Sequence, residues 1–200
     1  MIHPIRYYGD PVLRKVARPV EHFDETLNKL VSDMIETMHD ANGVGLAATQ
    51  IGIPKQIFVA QEIRSIDGDD PEDNQIEVMN EHVVINPSIL CREGDQDNPE
   101  GCLSIPGIFV ESIRRYANVR LRYQGLDGTW HELNANGHLA QVIQHEYDHL
   151  KGILFFDRLS GDSKQRFLEQ YRSELADIQR TAKSFLKQLK RGTPSPSLDC

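Results

Sequence analysis

The chain has 200 residues, 39% hydrophobic and 26% charged, values ordinary for a globular enzyme and unlike those of a disordered or membrane-spanning chain. The formal net charge of −8 argues against binding of DNA by the body of the protein. No apolar run approaches the ~20 residues of a membrane helix, and the opening MIHPIRYYGD lacks the charged-then-apolar order of a secretion signal.

Three widely spaced cysteines, Cys91, Cys102 and Cys200, are an odd number in a chain too large to depend on disulfides. A reducing, cytoplasmic setting is therefore expected.

In chain order, Pro4, Pro11 and Pro19 predict an extended and turning start, because proline fixes its own φ and disfavours helix in its predecessor. From Asp24, an N-cap residue, Leu27, Leu30, Val31, Met34, Ile35 and Met38 recur at helical spacing, and Asn42-Gly43 should end the helix. KQIFVAQEI and EHVVINPSIL read as strands, with an acidic surface loop from Arg64 to Asn80 between them. Cys91, at the close of the second strand, reads as a small buried hydrophobe. Alternating residues on both sides of Asp127-Gly128 predict a hairpin.

GHLAQVIQHEYDHLKG should be a helix with Leu139, Val142, Ile143 and Leu150 on its apolar side, and a further helix is expected from Asp162 to Arg191. Few helices, several short strands and no βαβ alternation predict an α+β fold: short antiparallel sheets packed around a central metal-binding helix, with a C-terminal helix. Residues 1–160 should form the catalytic domain, 161–191 the appended helix, and 192–200 a loose tail.

His145 and His149 stand four apart on the predicted helix, so both imidazoles can reach one metal. Glu146, one step round, is placed to take a proton from an attacking water. A catalytic metal site keeps three protein ligands. Two residues are candidates for the third: Glu169, 20 residues after His149, as in thermolysin-like peptidases, and Cys102 in NPEGCLSIPG. Phe155 stands where a metzincin would carry a further histidine.

With Cys102 set beside the helix, three motifs in order, GVGLAATQ (Gly43 to Gln50), EGCLS (Glu100 to Ser104) and QHEYDH (Gln144 to His149), make the chain resemble the peptide deformylases. These metalloenzymes remove the N-formyl group from nascent polypeptides. The resemblance implies Cys102, His145 and His149 as metal ligands, and Glu146 as the catalytic carboxylate. It implies Gln50 and the Leu103 main-chain N–H as donors to the oxyanion, and Gly45, with Gly43, Val44 and Gly101, as the peptide-binding backbone. It further implies one divalent metal per chain, Fe2+ foremost, with Ni2+, Co2+ or Zn2+ tolerated.

Three smaller expectations accompany it. His138 and Gln141 occupy helix positions where the family commonly carries aliphatic residues; both are expected to point to solvent, and would shift the preference for formyl-Met if they lined the pocket. Arg114 is either a partner for Glu100 or a solvated arginine. The last helix carries eight basic and four acidic residues, +4 against −12 for the rest; its basic end is either a solvated face or, as the resemblance implies from some relatives, a contact with ribosomal RNA.

Overall fold

The protein is described over residues 1–66 and 75–191 by a computed structural model. One antiparallel sheet has the strand order β1-β2-β3-β4-β5, made by Gly45–Ala47, Ile57–Ile66, Gln75–Cys102, Ile105–Gln124 and Trp130–Asn136. Helix α1 (Glu25–Asp40) precedes it and α2 (Gly137–Leu150) follows it, while α3 (Gly161–Gln170) and α4 (Arg172–Arg191) end the described chain. The class is α+β as expected, with one continuous sheet in place of several short ones. The sheet bends because β3 breaks register with β4 at four places, the last between Gly101 and Cys102, and each extra residue kinks its strand.

Alternation along β2 places helices on both faces of the sheet. Phe58 and Ala60 pack with Leu139, Ala140, Val142 and Ile143 of α2. Ile57 and Val59 point the other way, onto Leu27, Val31, Met34 and Met38 of α1. Eleven of the fourteen residues of α2 are buried, which makes it the central helix. Burying each large side chain here contributes roughly 1.5–3 kcal/mol.

The α1 boundaries follow their sequence signals. The Asp24 carboxylate accepts from Leu27 N at 3.0 Å, and Asn42 takes a positive φ of 51° as Gly43 N donates to Met38 O at 2.9 Å, closing the helix. The β4–β5 hairpin forms where expected, with Gly128 at φ 78° and Asp127 Oδ1 accepting from Thr129 N at 2.9 Å.

Three expectations are corrected. The predicted Arg64–Asn80 loop is sheet at both of its described ends: β2 runs to Ile66 and β3 begins at Gln75, and Arg64 and Glu77–Asn80 are exposed. The centre of that stretch, 67–74, and the tail 192–200 lie outside the described residues.

The 162–191 helix is two. Tyr171, at φ −102° and ψ 22°, leaves helical geometry where its ring meets Phe167 at 5.1 Å and its hydroxyl donates to Phe109 O at 3.4 Å. Phe167 and Leu175 then dock on Ile105, Ile108, Ile113 and Phe156. Cys91 is only half-buried, and its thiol faces Glu93 Oε1 at 3.3 Å.

Candidate metal centre

Cys102 is the last residue of β3. It pairs with Ile105 across the two-residue turn Leu103-Ser104, and this hairpin tip is tied down by Tyr8 N donating to Ser104 O at 2.9 Å. The tip meets the buried face of α2. There Sγ of Cys102 lies 3.2 Å from Nε2 of His149, and the Nε2 atoms of His149 and His145 are 3.2 Å apart. The three ligand atoms all fall within 4.8 Å of one another. In a tetrahedral centre with bonds of about 2.0–2.3 Å, neighbouring ligands stand about 3.3–3.7 Å apart, so the donor set fits one cation.

The tautomer of His145 is set from outside. Nδ1 of His145 donates to Glu100 Oε1 at 2.6 Å, which turns the Nε2 lone pair toward the other two ligands. Glu100 is itself gripped by Arg115, with Nη2 to Oε1 at 2.6 Å and Nε to Oε2 at 3.0 Å. Burial alone would raise its carboxyl, but the hydrogen bonds from His145 and Arg115 bring it down to about 2. Arg115 also reaches Asp148 Oδ2 at 2.6 Å, and Asp148 accepts from Arg158 Nε at 2.8 Å. Of the two readings of Arg114, the solvated one holds, and Arg114 is not the partner of Glu100. That residue faces water and pairs with Asp95 at 2.7 Å, because successive residues of β4 point to opposite faces.

Glu146 lies buried beside the ligands, and its Oε2 has no partner among the described residues. Burial foremost pushes its carboxyl up to about 7, with the Glu100 charge acting in the same direction and His145 opposing. Gln50 is oriented by the backbone: Ala47 N donates to its Oε1 at 2.7 Å. Its Nε2 therefore faces Cys102 Sγ at 3.6 Å and Ser104 Oγ at 3.3 Å. Gly45 has no room for a side chain, since a Cβ there would sit 2.5 Å from Glu146 Oε1 and 2.9 Å from Val142 Cγ1.

A cavity of about 610 Å3 opens onto these groups. It is lined by Gly43, Val44, Gly45, Gln50, Gly101, Cys102, Leu103, His145 and Glu146, so every predicted site residue except the deeper His149 borders it. His138 and Gln141 border it too. The expectation that Gln141 points to solvent is corrected: it is buried and donates to Pro99 O at 2.8 Å. His138 is exposed at the mouth. Glu169, the alternative ligand, is exposed on α3 and accepts from Gln165 at 2.9 Å, away from the ligand group.

Sequence reasoning alone does not single out Arg115, Asp148 or Ser104. For Arg115 a signal exists: it shares the two-residue period of Ile113, Val119 and Leu121, all buried, and an arginine on an apolar face requires a buried partner. No comparable pattern marks Ser104.

Two histidines from one helix, a thiol from a hairpin tip and a buried carboxylate with one unpartnered oxygen beside an open cavity define a metal-dependent hydrolase. The profile of the polypeptide deformylase family matches residues 2–165. Peptide deformylase of Thermus thermophilus is 46% identical over 197 residues, 96% of this chain and all of that one. Among solved structures, a crystal structure of peptide deformylase from Thermus thermophilus matches with a TM-score of 0.79 at 45% identity, covering 90% of this chain and 99% of that one. A Met-Ala-Ser-bound class I type b peptide deformylase from Acinetobacter baumannii matches at 0.72 and 33% identity, over 80% and 99%. The chain belongs to the peptide deformylase family, hydrolases that remove the N-formyl group from the N-terminal methionine of nascent polypeptides.

Proposed function

We propose that Cys102, His145 and His149 hold one Fe2+ and that Glu146 is the base and acid of the deformylation. Ni2+, Co2+ and Zn2+ are accepted by the same thiolate-imidazole set. The metal supplies a Lewis acid that makes water acidic near neutral pH. The observation that carries the reading is the buried, unpartnered Oε2 of Glu146 beside the three ligands.

Glu146 takes the proton of the attacking water and returns it to the departing amine, leaving formate and a free N-terminus. The Nε2 of Gln50 and the main-chain N–H of Leu103 donate to the oxyanion formed on the formyl carbon. With the amide flipped, Gln50 would present an acceptor; the Ala47 N–H disfavours that orientation. The substrate peptide lies extended along Gly43, Val44 and Gly45, adding itself to the sheet at β1. Gly101 forms the facing wall.

Residues 1–160 constitute the catalytic domain, with 161–191 attached through Phe167 and Leu175, both buried against it. The enzyme works in the cytoplasm on N-formyl-Met chains as they emerge. The basic end of α4, Lys190 and Arg191 in its last turn, meets ribosomal RNA. No helix among the described residues is long and apolar enough to cross a membrane.

Formate release from a formyl-Met peptide, measured anaerobically with each divalent metal, is expected to be fastest with Fe2+. Cys102→Ala should lose both metal and turnover. Full metal content in Cys102→Ala would refute the ligand set.

A further inference from the structure

A second cavity, of about 570 Å3, lies beyond the Arg115–Asp148 pair, bordered by the outer parts of β3, β4 and α2. Its charge runs against that of the chain. Arg92, Arg114, Arg115, Lys151 and Arg158 border it, with only Asp95 and Asp148 opposing them, although the whole protein carries −8.

Both carboxylates are already engaged. Asp95 pairs with Arg114 at 2.7 Å, and Asp148 is shared between Arg115 at 2.6 Å and Arg158. Arg92 and Lys151 are left over. Among the described residues neither pairs with a carboxylate; each rests on a tyrosine, Arg92 Cζ 6.0 Å from the Tyr116 ring centre and Lys151 Nζ 5.1 Å from that of Tyr147. Tyr116 is 44% exposed.

The combination has a chemical reading. Unpaired cations at the rim attract an anion, and an ammonium and a guanidinium both suit phosphate oxygens. The exposed ring of Tyr116 beside them offers stacking to a planar base, as in single-strand nucleic-acid grooves. The volume lies within the range of small-molecule sites. We infer that this cavity is a binding site for nucleoside phosphates, held by Arg92 and Lys151 and stacked against the exposed Tyr116. The chemistry is common to a free nucleotide and a strand of RNA. The inference does not depend on the hydrolytic site, which lies in the other cavity.

The test is equilibrium binding to the metal-loaded full chain of three probes: ATP, an eight-nucleotide single-stranded RNA, and inorganic pyrophosphate. Saturable binding of ATP or the RNA is expected, weakened at least about tenfold in Arg92→Glu/Lys151→Glu and about tenfold between 50 and 200 mM salt. Both residues are exposed, so the variant should keep its fold and its deformylation of a short peptide. ATP binding as well as the RNA marks a free nucleotide as the occupant, and RNA alone marks a strand. Absence of saturable binding, binding unchanged in the double variant, or pyrophosphate equalling both other probes would overturn the assignment.

Discussion

Arg114 and Arg115 are neighbours in sequence on opposite sides of one strand: the first has a side chain 67% exposed, the second 4%. The buried one joins Glu100 to Asp148 and so braces His145 from behind. Arg115→Met leaves buried Glu100 with His145 alone and Asp148 with Arg158 alone, and should cost about 3–5 kcal/mol, read as a lower midpoint in denaturant and weaker metal retention. Arg114→Ala should leave both unchanged. Equal effects would show that the bracing role is misassigned.

Glu146→Gln preserves shape and removes the proton acceptor. Turnover should drop by about 10²–10⁴-fold with metal stoichiometry intact. Wild-type-like formate release from this variant would rule Glu146 out as the base.

Gly45→Ala forces a methyl into Glu146 Oε1 and Val142. Displacing the carboxylate by about 1 Å costs about 10²-fold in rate. Metal content should be retained, which separates this variant from the ligand substitutions.

Gln141→Leu replaces a buried amide on the cavity wall by an aliphatic side chain. The ratio of kcat/KM for formyl-norleucine over formyl-Ser peptides should rise about tenfold. An unaltered ratio would mean that this wall does not contact the substrate side chain.

Asp157 ties the start of the chain to its C-terminal part, accepting from Lys164 Nζ at 2.6 Å, from Leu154 N at 2.9 Å and from Arg14. Burial raises its carboxyl, but these partners outweigh burial and hold it below the ordinary 3.8. A depressed folded pKa means that the stabilisation is complete above the unfolded value and is lost as pH falls through the folded one. Asp157→Asn should therefore cost about 1–2 kcal/mol at pH 7, and the gap from wild type should close only below about pH 4. A gap independent of pH would place the effect in packing.

The ligand helix is legible in the sequence because its period survives burial: His145 and His149 announce one face, and Glu146 the next. The third ligand is not legible from spacing alone, since Cys102 and Glu169 both satisfy it and only the hairpin tip decides between them. Of long β3 only Glu81–Leu90 is legible, because the stretches on either side, Glu77–Asn80 and Arg92–Asp95, are exposed and offer no buried face to pattern. Gln141 is misread because helix position alone does not say how far a cavity undercuts a helix. The break at Tyr171 leaves no sequence signal, there being neither Gly nor Pro near it.

At the border of the sheet, β1 offers only the three residues Gly45–Ala47, about 10 Å of extended chain. On the proposed reading, a guest strand annealed there would be gripped over its opening few residues and no farther. So short a handhold would make recognition indifferent to everything downstream, letting one catalyst process chains that have nothing in common but their beginnings.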